Sequence, residues 1–275
     1  MFLREKNAYL VHLCARPFVP ELRCTLGRET AIQKMIWTED GWLRLADGSN
    51  LAKLDTEETG LVEFDAEILP DRDDFDREVL RKDYYSPRIF PSDFTDYKGR
   101  RGFVKLRGQE SLSSLNKVSL LCRKLPSVNV EVSAGLDFNP EIYQHSAGLV
   151  LYYDNMNYIA IRKYYSDTLK QPAIAIISLE NGEKKELLDT RTAVDGRPVC
   201  FELIVSERRS FFKWGYEGEE TKPIGTVFDT SKFSDEYCKY GEFTGTMVGI
   251  FAVDSMFHKK EADFDYFSVV DKKDL

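Results

Sequence analysis

The 275-residue sequence is short of most features that would assign it an activity at once. No apolar run approaches the roughly 20 residues that a membrane-spanning helix needs. The opening residues, MFLREKNAYL, carry charges where a secretory signal requires an apolar stretch. No Asn-x-Ser/Thr sequon occurs. The five cysteines, Cys14, Cys24, Cys122, Cys200 and Cys238, are an odd, widely spaced set without a CxxC pair. That pattern argues against a zinc site and does not close a disulfide framework. Reduced thiols and an intracellular location are therefore expected. A net charge of −8, with both signs interleaved, leaves no basic footprint for nucleic acid or anionic lipid. Three histidines, His12, His145 and His258, lie far apart in sequence, and no Ser or Cys has the motif context of a nucleophile. No segment sustains a 3.6-residue period over a dozen residues, so helices are not expected.

Strands are abundant instead. Val128, Val130, Val132, Ala134, Leu136 and Phe138 alternate with polar or small residues, the pattern of a half-buried strand. Ala262, Phe264 and Tyr266 alternate in the same way near the C-terminus. The apolar run over residues 172–179 leads into Asn181-Gly182, the dipeptide suited to a type I′ hairpin turn. Many short strands with turn signals between them indicate an all-β antiparallel sandwich of the jelly-roll kind. Its inner faces are expected to include Val130, Val132, Leu136, Phe138, Phe201, Leu203, Phe264 and Tyr266. Aromatic residues make up 13% of the chain, and sandwich core accounts for them better than a sugar-stacking platform. Residues 1–55 differ in texture: one apolar strand, a proline-punctuated segment, and a hairpin turning at Glu39-Asp40-Gly41 between Trp37 and Trp42. The acidic residues 56–72 are expected to be a linker and residues 73–275 the sandwich.

The segment HLCARPFVPELRCTLGRETAIQKMIWTEDGW (residues 12–42) resembles the end of the five-bladed propeller in the β-xylosidase branch of glycoside hydrolase family 43. RDDFD (72–76), LRGQESLSSL (106–115), HSAGLVLYYDNMNYI (145–159) and YGEFTGTMVGIF (240–251) resemble the concanavalin-A-like C-terminal domain of the same branch. One departure is Ala15, where the family usually has Gly. The resemblance implies a remnant of the last blade over 1–55 and a concanavalin-A-like sandwich after it. It also implies an inverting hydrolase acting on xylo-oligosaccharides, with side activity on α-L-arabinofuranosides. Inversion uses carboxyls roughly 6.5–9.5 Å apart, and the family carries them on earlier blades. The resemblance therefore assigns no catalytic residue to this chain, which alone is expected to be inactive.

Two substrate-binding residues follow from the resemblance. Arg28, in the GRE run, is expected to hydrogen-bond the xylose at the non-reducing end, a task suited to an always-charged guanidinium with several donors. Glu29 beside it is expected to be a structural partner rather than an acid. Phe243 is expected on a loop over the propeller mouth, with Glu242 as the other candidate for that place and an inter-sheet core role as the bland alternative. No cofactor or metal is expected. A calcium site using Asp254, Asp263 and Asp265 is the weaker possibility, because Ca²⁺ takes about six to eight oxygen ligands. Other classes remain open: a free-standing carbohydrate-binding module, or a truncated product without independent activity.

Overall fold

A computed structural model describes residues 2–4, 7–56, 68–240 and 243–272. The chain forms two compact units: residues 1–16 with 28–69, and residues 17–27 with 70–275. The linker expected over 56–72 falls mostly on residues 57–67, outside the described residues.

The first unit is one antiparallel sheet of β1 (Phe2–Arg4), β2 (Asn7–Cys14), β3 (Glu29–Trp37) and β4 (Leu43–Leu45), in that order. The β3–β4 hairpin turns where the sequence places it: the Thr38 N–H donates to the Trp42 carbonyl, and Gly41 takes φ +80°. Ala8, Tyr9, Gln33 and Met35 are buried, whereas Leu10, Leu13, Ile36, Trp37 and Trp42 are exposed.

The second unit begins its strands with β5 (Arg72–Asp73), β6 (Thr95–Asp96), β7 (Val104–Arg107), β8 (Ser119–Lys124), β9 (Asn129–Asp137) and β10 (His145–Asp154). It continues with β11 (Asn157–Ser166), β12 (Gln171–Glu180), β13 (Glu183–Ala193) and β14 (Val199–Ser206). The last four are β15 (Arg209–Tyr216), β16 (Lys222–Asp229), β17 (Met247–Asp254) and β18 (Glu261–Asp271). They build two antiparallel sheets, β13-β12-β11-β10-β17-β8 and β16-β15-β14-β9-β18-β7-β6, with β5 added against β18. Two single-turn 3₁₀ segments are the only helical pieces among the described residues.

The inner faces meet in one core containing Phe201, Phe212, Phe264, Phe267, Leu149 and Ile161. The β9 alternation does what its sequence predicts, and Val130, Val132, Leu136 and Phe138 are all buried. Asn181 and Gly182 both have positive φ, 47° and 88°, joining β12 to β13 as a two-residue turn. One inner-face expectation is overturned. Tyr266 is only partly buried, because Asp265 forms a bulge between the pairs Phe264–Leu136 and Tyr266–Gly135. The extra residue reverses the alternation, so Phe267 and Val269 point inward and the Tyr266 ring receives the Arg72 guanidinium at 3.7 Å. β10 is buried at all ten positions, which explains its lack of alternation. Its inner side joins the main core, and its outer side joins a smaller cluster with Leu112, Val118, Leu120 and Phe251.

Candidate functional site

Arg28 stands immediately before β3, and Glu29 opens that strand opposite Cys14. The Glu29 carboxylate takes a bidentate pair of hydrogen bonds from Arg16, at 2.8 Å from Nε and 2.7 Å from Nη2. A carboxylate gripped in that fork is tied to Arg16 by two hydrogen bonds, an arrangement suited to a structural role.

The residues before Arg28 belong to the sandwich unit, and the stretch 229–246 holds them by several independent means. The backbone N–H of Cys24 donates to Glu236 at 2.9 Å, and Thr246 N–H donates to the Thr25 carbonyl at 2.8 Å. Arg23 donates to the Ser231 hydroxyl at 3.1 Å and lies over the Tyr237 ring at 4.6 Å. Arg208 adds a hydrogen bond to Glu21 at 2.9 Å and another to the Val19 carbonyl. Gly27 and Gly245 make the closest approach. A Cβ on Gly27 would lie 2.6 Å from the Gly245 nitrogen, and one on Gly245 would lie 2.5 Å from the Leu26 carbonyl oxygen. Both glycines are thus required for space, and Gly27, with φ +71°, for backbone conformation as well.

Phe243 precedes Gly245 by two residues. Its side chain is 62% exposed and its backbone lies in the left-handed region, φ +52°. An inter-sheet core role is thereby excluded. Glu242, the other candidate for the same place, lies outside the described residues.

The acidic and histidine candidates are each committed elsewhere. Burial would raise the Asp254 carboxyl, but N–H donors from Met256, Phe257, Lys259 and Lys260 outweigh it and hold the pKa well below the ordinary range. Both carboxylate oxygens thus close the turn into β18. Asp263 shares Arg100 with Asp137, at 3.0 and 2.7 Å, and Asp265 is the bulge residue. The three aspartates do not converge, and no cluster of metal-ligating side chains occurs among the described residues. His145 is buried 3.7 Å from Asp254; burial lowers its pKa while Asp254 opposes. His258 pairs with Glu110 at 3.1 Å, and His12 lies on β2 in the other unit. Lys163, missed by sequence reasoning, is fully buried on β11 and donates to the Arg197 carbonyl at 2.8 Å. Burial draws its pKa down to about 8, Asp137 and Asp195 offsetting part of the shift.

Comparison with known proteins adds the following. Residues 72–270 match the family described as the β-xylosidase C-terminal concanavalin A-like domain. Among curated proteins, the xylosidase/arabinosidase 43B of Humicola insolens is 33% identical over 272 residues, covering 96% of this chain and 50% of its own length. The β-xylosidase of Bacillus subtilis strain 168 is 27% identical over 278 residues, with 96% and 51% covered. Among solved structures, the xylan β-1,4-xylosidase of Bacillus halodurans C-125 superposes with a TM-score of 0.90 at 38% identity, covering 96% of this chain and 51% of that one. The chain thus spans about half the length of the relatives it matches. On the matched domain and the shared sandwich, the chain belongs to the family of β-xylosidase C-terminal concanavalin A-like domains of glycoside hydrolase family 43.

Proposed function

We propose that this chain acts together with a five-bladed propeller as an exo-acting β-1,4-xylosidase. The sandwich buttresses the propeller and shapes the entrance to its pocket. Xylo-oligosaccharides are the substrates, with α-L-arabinofuranosides as side substrates. Arg28 hydrogen-bonds the pentose at the non-reducing end, and Phe243 borders the entrance, limiting cleavage to one sugar at a time. The observation that supports this most is the Gly27–Gly245 approach with its Thr25–Thr246 hydrogen bond. It joins the backbone of Gly27 to that of Gly245 within the sandwich unit, one residue before Arg28 and two residues after Phe243 in sequence. The exposed Leu10, Leu13, Ile36 and Trp37 of the first unit are the surface that neighbouring propeller strands would cover. The chemistry, so read, uses carboxyls of the propeller and neither metal nor cofactor. Five free thiols suit a reducing, intracellular compartment.

The 275 residues alone, assayed on a chromogenic β-xyloside, should show no turnover above buffer. Joined to the propeller half of a relative, they should gain activity. In that joined enzyme Arg28→Ala should lower kcat/KM by about 10²-fold, as for a charged donor at a reacting sugar. A near-unchanged kcat/KM removes Arg28 from the site. Turnover by the isolated chain that an acidic substitution within it abolishes overturns the proposal.

A further inference from the structure

Directly paired residues on adjacent strands share a face of the sheet. One row of the six-stranded sheet runs Phe251, Gly148, Arg162 and Ala175 across β17, β10, β11 and β12. The next runs Val253, Ser146, Tyr164 and Ala173. Phe251 belongs to the smaller apolar cluster, so both rows lie on the face turned away from the main core. Ser146, Arg162 and Tyr164 of these rows border a hollow on that face. It is a groove of about 350 Å³, bordered by Tyr143, Ser111, Lys184 and Asp167, within the size range of small-ligand sites.

The polar groups in this groove are incompletely paired. Glu186 accepts from Arg162 Nη2 at 2.8 Å and lies 3.9 Å from Arg191 Nη2. The Arg162 guanidinium also lies 4.2 Å from the centre of the Tyr164 ring. Yet the Nε–H of Arg162, the Nε–H of Arg191 and the hydroxyl of Tyr164 are buried without a hydrogen-bond partner among the described residues. Tyr164 as a whole is only 5% exposed. Folded proteins rarely tolerate buried polar groups left unpaired. Three of them on one groove call for a ligand that brings acceptors.

We propose that this groove is a saccharide-binding site for a neutral pyranoside chain lying across β10 to β13. Two planar donor arrays with a carboxylate between them match vicinal hydroxyls, each of which both donates and accepts. Tyr143, 60% exposed on the rim, is a side chain of the kind that packs on the C–H surface of a sugar. A phosphate or sulfate is an anion, and it would set its charge against the Glu186 carboxylate between the two guanidiniums. The site lies wholly within the sandwich unit and uses none of the residues assigned to the xylosidase pocket.

The test is calorimetric titration of the 275-residue chain with xylohexaose, cellohexaose and inorganic phosphate. Xylohexaose or cellohexaose should bind, and phosphate should not. Tyr143→Ala and Arg191→Gln, each checked for an unchanged circular dichroism spectrum, should weaken binding about tenfold or more. Arg209→Gln, on the other sheet, should leave it unchanged. Absence of binding by either oligosaccharide overturns the proposal, as does binding that survives both groove substitutions in folded protein. Phosphate binding without oligosaccharide binding makes the groove an anion site instead. The readout involves no turnover, so this outcome and that of the xylosidase assay stand apart.

Discussion

In the sandwich, two sheets turn apolar faces toward each other, and Phe201, Phe212 and Phe264 are removed from water entirely. In the four-stranded unit, strands of similar composition leave Leu13, Trp37 and Trp42 more than half exposed. Hydrogen bonding is comparable, since each unit is a continuous antiparallel ladder. Among the described residues, what separates them is the second layer. A sheet hides its apolar side chains only when something packs on that face, and a main-chain ladder without such packing adds little stability in water. The sandwich carries its own complement. The smaller sheet presents apolar side chains of the kind that mark a contact surface.

Four substitutions test that contrast. Phe201→Ala, at the centre of the two-layer core, should cost about 3–5 kcal/mol in urea unfolding, the usual loss for a buried aromatic. A cost below about 1 kcal/mol would mean that the two sheets are not cohesive.

Lys163 bears on the same core through its charge. An unfolded lysine keeps its proton up to about pH 10.4, whereas the buried one releases it near about 8. The unfolded state therefore binds more protons between those values, and stability rises with pH across the window. Below about 8 both states are protonated and the full penalty applies. Measured against Lys163→Met, the wild-type protein should gain about 3 kcal/mol of relative stability between pH 7 and pH 10.5. A pH-independent gap between the two would remove the buried charge from the account.

Gly27→Ala tests where the sandwich ends. A methyl group there meets the Gly245 backbone in a conformation that alanine resists, so about 1–3 kcal/mol should be lost. Trypsin should then cut after Arg23 sooner than in wild-type protein. Equal cutting rates would show that residues 17–27 are not held as described. The smallest effect is expected at Trp42→Ser, within about 0.5 kcal/mol, as for an exposed residue outside any core. A larger loss would show that the four-stranded sheet depends on that ring.

Much of the fold is legible in the residues, for identifiable reasons. β9 alternates because one face meets the core and the other does not, and Asn181-Gly182 supplies the two positive φ values that its turn needs. β10 hides its direction because both faces are covered. The Asp265 bulge is invisible in the sequence: Ala262, Phe264 and Tyr266 keep a period of two, while the ladder inserts a residue between the last two. Of the candidate residues, Phe243 is exposed and Glu29 is paired with Arg16. The grouping of 17–27 with the sandwich is not readable locally, since it depends on Glu236, Ser231 and Thr246, more than 200 positions away. The groove with Arg162, Tyr164, Glu186 and Arg191 is hidden likewise, because only strand register gathers those residues.

The excursion of residues 17–27 also constrains how such chains can be recombined. The path leaves the four-stranded sheet after β2, is fastened into the sandwich unit, returns to form β3 and β4, and only later crosses for good. No single cut therefore separates the two units. A crossover placed in the acidic stretch after β4 would graft a new sandwich onto a loop shaped for the old one. Gly27 would face a foreign residue at the position of Gly245, and Cys24 would face one at that of Glu236. Exchange between relatives should thus succeed only when residues 17–27 travel with the sandwich or when both sides keep the paired glycines. For this chain, moving residues 17–27 with the sandwich takes two further junctions, one on either side of that excursion.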